Sequence, residues 1–83
     1  MILKEFRHKI DLIDKDVIEL LKKRFELVEQ IMDIKDSVED KDRENDILER
    51  IKNYVENARN RDFFTKLYKT IFEESKRIQR ESK

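Results

Sequence analysis

The sequence predicts an all-α fold of three helices per chain, the first of them very long. Two observations carry that prediction. Over the first 38 residues apolar side chains recur every seven positions with no glycine or proline to interrupt them, the mark of an amphipathic helix. The alternation of apolar and polar residues that marks a strand appears nowhere in the chain.

With Leu3 as position a, the a and d positions of the first segment are Leu3, Phe6, Ile10, Ile13, Val17, Leu20, Arg24, Leu27, Ile31, Ile34 and Val38, and ten of these eleven are apolar. A chain that is 37% hydrophobic would place about four there by chance. Helix one is therefore expected from about Ile2 to Asp36. A helix over residues 2–38 would be roughly 55 Å long at about 1.5 Å per residue. A compact globule of 83 residues is only about 30 Å across. The helix outruns its own domain, and the simplest cover for its ends is a second copy of the chain, which points to an intertwined helical-bundle homodimer.

The register fails after Val38, where the next two positions fall on Lys41 and Asn45. Apolar residues resume out of phase at Ile47, Leu48, Ile51, Tyr54, Val55 and Ala58, so a break is expected between Ser37 and Asp40, with Asp40 or Asp42 as the N-cap of helix two. Helix two is expected to end near Asn57 to Asn60, because asparagine tolerates the left-handed conformation that closes many helices. Asp62 can then cap helix three, which carries Phe63, Phe64, Leu67, Tyr68, Ile71, Phe72 and Ile78 at helical spacing.

Composition narrows the function classes. Charged residues make up 48% of the chain, about twice the usual share of roughly 25%, and the 20 basic side chains balance the 20 acidic ones. A nucleic-acid or anionic-membrane binder would show a basic excess or stripe, so neither partner is expected. There is no cysteine, which removes disulfides and thiolate metal sites and is compatible with a reducing compartment. No apolar run is long enough to span a bilayer. The expectation is a soluble, cytoplasmic protein whose residues 1–83 form one helical domain. His8, the single histidine, has no carboxylate cluster at metal spacing around it. The basic residues Lys76, Arg77, Arg80 and Lys83 are offset by Glu73, Glu74 and Glu81 and read as a solvated face.

The informative positions are polar residues on apolar faces. Arg24 sits in the middle of the seam, where an unpaired buried guanidinium would cost several kcal/mol. Its commonest use there is structural, as a salt-bridged or register-setting residue. Three further features shift the balance. Lys35 lies three turns beyond Arg24 on nearly the same face. Ser75 and Gln79 replace apolar residues where the stripe of Phe64, Tyr68 and Ile71 should continue. Asp40, Arg43 and Glu44, at the start of helix two, can fold back over that region. Several polar groups converging with a positive excess suggest a pocket for a small anionic ligand.

These residues give the chain its resemblance to a known family, the small all-α chorismate mutases. The resemblance covers nearly the whole length and rests on an ordered set: Arg7 in FRHKID, Arg24 in KKRFELV, Lys35 in IKD, Asp40-x-x-Arg43-Glu44 followed by ILERI, and Ser75-x-x-x-Gln79 in IFEESKRIQ. The chain departs from the family in the connection after Lys35, where only four residues precede Asp40. Most family members carry a loop several residues longer there, often with proline or glycine.

The resemblance implies conversion of chorismate to prephenate without metal or cofactor. It implies that Arg24, and Arg7 from the partner chain of a homodimer, hold the two substrate carboxylates, and that Lys35 and Gln79 donate to the ether oxygen. Glu44 would accept from the ring hydroxyl together with backbone near Asp40, while Arg43 and Ser75 would support the carboxylates. Two rival readings stand beside this one: an isochorismate pyruvate-lyase of the same fold, and a non-catalytic helical dimerisation module whose polar seam residues only set register.

Overall fold

In the computed structural model, which describes residues 2–32, 34 and 40–82, three helices follow one another: α1 (Ile2–Ile31), α2 (Lys41–Tyr54) and α3 (Ala58–Ser82). The chain extends 53 × 27 × 15 Å with a radius of gyration of 15.8 Å, against about 12 Å for a compact globule of this length. The excess comes from α1, whose 30 residues reach about 45 Å.

Helix α1 closes earlier than the apolar repeat suggests. Its ladder tightens at the end, where the Met32 N–H donates to the Glu29 carbonyl at 3.3 Å and the Ile34 N–H to the Ile31 carbonyl at 2.9 Å. Such i→i+3 bonds serve the orphan carbonyls of a terminating helix. The last turn carries no basic side chain to complement the negative end of the helix dipole. The expected continuation to Asp36, the seam position Val38 and the break between Ser37 and Asp40 lie outside the described residues.

Helix α2 starts where predicted. The Asp40 side chain accepts from the Arg43 backbone N–H at 3.0 Å, which makes Asp40 the N-cap, and Asp42 and Glu44 place acidic charge in the first turn. The other end requires a correction. Helix α2 stops at Tyr54, and Asn57 is the N-cap of α3, accepting from the N–H groups of Arg59 at 2.8 Å and Asn60 at 3.3 Å. No described residue adopts a positive φ, so this turn closes without the left-handed asparagine that was expected. Arg61 supplies the missing termination: its Nε donates to the Val55 carbonyl at 2.6 Å and its Nη2 to that of Glu56. Asp62 caps nothing. It lies in the second turn of α3 and pairs with Lys66 at 3.1 Å.

Helix α3 packs against both other helices. The buried core is small: Val28, Ile51, Ile71 and Phe72. Around it Leu21 and Phe25 of α1 face Leu67 and Ile71 of α3. Helix α1 therefore has two apolar faces. The inner one, Leu21, Phe25 and Val28, meets α3. The a/d seam, turned about 40–100° away from it, stays largely in solvent, with Leu3, Phe6, Ile10, Ile13, Val17 and Leu20 between 47% and 63% exposed. None of the helices is long and apolar enough to cross a membrane among the described residues.

Candidate functional site

The site is built where the C-terminal third of α1, the first turns of α2 and the last turns of α3 meet. Arg24 projects from α1 toward α3, half-buried, and its Nη1 donates to the Ser75 hydroxyl at 3.1 Å. Its guanidinium carbon stands 5.9 Å from the centre of the Tyr68 ring, within cation–π range. Burial lowers the Arg24 pKa, the Tyr68 phenol opposes that shift, and the nearby positive charge of Arg43 adds to it. A guanidinium remains charged through such a shift. It is a cation partly stripped of water, which raises its affinity for an entering anion.

Ser75 is held by its own helix, its hydroxyl donating to the Ile71 carbonyl at 2.8 Å while it accepts from Arg24. One turn on, Gln79 is the most buried polar residue among the described residues, at 5% exposure, and its Nε2 donates to the Val28 carbonyl at 3.5 Å. That carbonyl belongs to the last turn of α1, so Gln79 fastens α3 to a helix end whose carbonyls need donors. The amide NH₂ has a second hydrogen to offer elsewhere.

From the opposite side, the capped first turn of α2 brings up Asp40, Arg43 and Glu44. A cavity of about 380 Å³ results, and Arg24, Asp40, Arg43, Glu44, Ser75 and Gln79 all line it. Its apolar wall is formed by Leu27, Val28, Ile31, Ile47 and Phe72. A second hollow, of about 460 Å³, adjoins it through the shared Arg24, Arg43 and Ile47 and adds Arg50, Tyr54 and Tyr68.

Six of the eight residues singled out in the sequence thus meet at one cavity. Arg7 does not join them within this chain, because it is exposed on α1, seventeen residues and about 25 Å from Arg24. Lys35 lies outside the described residues. The reading of the basic tail as a solvated face needs one correction. Arg77 does stay at the surface, gripping Glu74 at 2.8 Å and also bonding Glu81. Lys76, by contrast, turns into the cavity and pairs with Glu44 at 3.2 Å. A signal for this was present, since Lys76 lies four residues after Phe72 and three before Gln79 and so shares their face.

The cavity therefore presents three cations, Arg24, Arg43 and Lys76, against two carboxylates, Asp40 and Glu44, beside an apolar wall. Such a surface can hold a small organic anion, orient it through bidentate guanidinium contacts, and offer neutral donors from Ser75 and Gln79. Among the described residues, no three histidine or carboxylate side chains converge as metal ligands. A family model for chorismate mutase type II matches residues 6–80. No curated protein and no solved structure matches the chain. The match spans nearly the whole sequence, and the chain belongs to the chorismate mutase type II family.

Proposed function

We propose that this member of the chorismate mutase type II family catalyses the rearrangement of chorismate to prephenate as a homodimer, each chain a single helical domain. One observation carries the reading: Arg24, Asp40, Arg43, Glu44, Ser75 and Gln79, far apart in sequence, line one cavity with a positive excess. The reaction is intramolecular. An ether C–O bond breaks while a C–C bond forms, so it needs no nucleophile, and the protein must supply a compact substrate conformer and donors where negative charge grows on the ether oxygen.

In this reading Arg24, freed from Ser75 or sharing its donors with it, grips one carboxylate. Arg43 and Ser75 support the carboxylates. Gln79 keeps one amide hydrogen on Val28 and gives the other to the ether oxygen, with Lys35 as the second donor. Glu44 accepts from the ring hydroxyl together with backbone near Asp40. The second carboxylate goes to Arg7 of the partner subunit, since Arg7 of the same chain is about 25 Å away.

The exposed seam supports the dimer. Seven large apolar side chains, Leu3, Phe6, Ile10, Ile13, Val17, Leu20 and Leu27, stand in solvent along one stripe. Each would gain about 1 kcal/mol on covering its exposed half, roughly 7 kcal/mol per chain before the entropy of association. With four buried apolar residues as its own core among the described residues, the chain has reason to couple folding to pairing. An antiparallel pairing of two α1 helices covers both stripes and carries Arg7 to the other chain's cavity.

The test is direct. The purified protein is incubated with chorismate and, separately, with isochorismate, and loss of the enol-pyruvyl absorbance is followed while products are identified. Prephenate from chorismate is expected. Pyruvate release from isochorismate alone would replace the reading by a lyase of the same fold, and a folded dimer inert to both would make it an association module.

A further inference from the structure

The Lys76–Glu44 pair differs in kind from its neighbours. Lys22–Glu19, Lys52–Glu49 and Lys66–Asp62 are pairs three or four residues apart on single helices, with side chains 49% to 76% exposed. Pairs of that sort contribute little and are screened by salt. Lys76 and Glu44 join α3 to α2, at 3.2 Å, with side chains only 18% and 23% exposed. They also lie on the wall of the cavity that holds Arg24, Ser75 and Gln79. A carboxylate in that place is a liability for binding an anion unless its charge is matched, and a rotating one is a poor acceptor for a hydroxyl.

We propose that Lys76 is a positioning residue of the site: its ammonium group holds Glu44 as an oriented anion at the cavity wall, so that the carboxylate can accept a hydrogen bond from a hydroxyl of a dianionic ligand without repelling it. The contact is to Glu44 Oε2, and Oε1 is the atom that serves the ligand. An ammonium is a compact charge on a four-carbon stem, and the stem, leaving α3 beside Ser75, is long enough to cross to the first turn of α2. The inference rests on the function proposed above for the identity of the ligand, while the pairing itself rests on the geometry.

A double-mutant cycle in catalysis tests it, using the full chain with Lys76→Met, Glu44→Gln and the two combined, each confirmed as helical by circular dichroism. If Lys76 acts through Glu44, Lys76→Met lowers kcat/KM about tenfold or more, within the range of about 2- to 150-fold for coupled contacts. It then has little further effect once Glu44→Gln has removed the anion. Lys76→Arg, which restores a cation of similar reach, should recover most of the loss. A merely structural lysine would give losses that multiply and no rescue in kcat/KM, and either multiplied losses or an active Lys76→Met protein overturns the proposal. Lys76→Gln carries the cycle if the methionine variant does not fold.

A second readout separates this inference from the assigned reaction. A bicyclic ether dicarboxylate bearing the ring hydroxyl, shaped as the rearrangement's transition state, is titrated into the same proteins by calorimetry. Coupled losses in its Kd with no turnover of chorismate would remove the proposed reaction and uphold Lys76. Turnover with independent losses would do the reverse, and a wild-type protein that neither binds nor turns over overturns both.

Discussion

Replacing Gln79 by alanine separates the contact this side chain makes in the structure from the catalytic role proposed for it. Its Nε2 reaches the Val28 carbonyl at 3.5 Å with the residue 5% exposed. Removing a partner from a buried acceptor costs about 1–3 kcal/mol, and so long a hydrogen bond belongs at the low end, about 1 kcal/mol. For a small domain that corresponds to roughly 4–8 °C in Tm. The catalytic job is worth more: losing one donor to an oxygen that gains charge in the transition state costs about 2.7–4 kcal/mol, or about 10²–10³ in kcat. Gln79→Ala should therefore stay folded near room temperature while kcat falls at least a hundredfold with a smaller change in KM. Stopped-flow or continuous absorbance assays with chorismate, alongside thermal unfolding, read both numbers. A variant that loses stability yet keeps wild-type kcat would refute the donor role. Gln79→Glu sharpens the test. The introduced carboxyl, buried, has its pKa raised and donates only while protonated, so activity should be present below that pKa and be lost as pH rises through it, whereas the neutral amide imposes no such loss.

Three further outcomes are expected. Arg7→Ala and Arg24→Ala chains, each inactive alone, should regain activity when mixed and allowed to exchange, because a mixed dimer has one site with both arginines; random exchange gives about a quarter of the wild-type sites, and no recovery after confirmed exchange would refute a shared site. Ile13→Asp puts a charge in the middle of the exposed stripe and, doubled by two-fold symmetry, should cost several kcal/mol of association; sedimentation should show monomer with reduced helicity, and an intact dimer would place the interface elsewhere. Asn57→Ala removes the acceptor for two N–H groups at the start of α3 and should lower stability by about 1 kcal/mol without changing KM, as judged by chemical denaturation and kinetics.

Much of this molecule could be read from local pattern. Three helices, an aspartate cap at Asp40 or Asp42 and the interruption of the seam at Arg24 all follow from spacing and side-chain chemistry within a few residues, because helix periodicity and capping are local physics; the structure selects Asp40. The α2–α3 turn was less legible. Asn57 suits either the end of one helix or the start of the next, and the outcome depends on Arg61 reaching back to the Val55 and Glu56 carbonyls, a contact that spacing alone does not reveal.

The two faces of α1 mark the limit more clearly. A heptad repeat says that a stripe will be buried, and it cannot say against what. Within the chain α3 takes the adjacent stripe of Leu21, Phe25 and Val28 and leaves the a/d seam open, since α3's own apolar face and the short turn from α2 determine where it can lie. Lys76 shows the same limit at the site. On α3 it is one more charge in a balanced run, and its angular position fits either a solvated flank or the Gln79 face. The docking of α2, which sets Glu44 across the cavity at 3.2 Å, gives that ammonium a partly buried partner: periodicity decides which way a side chain points, and the packing of helices decides what it meets.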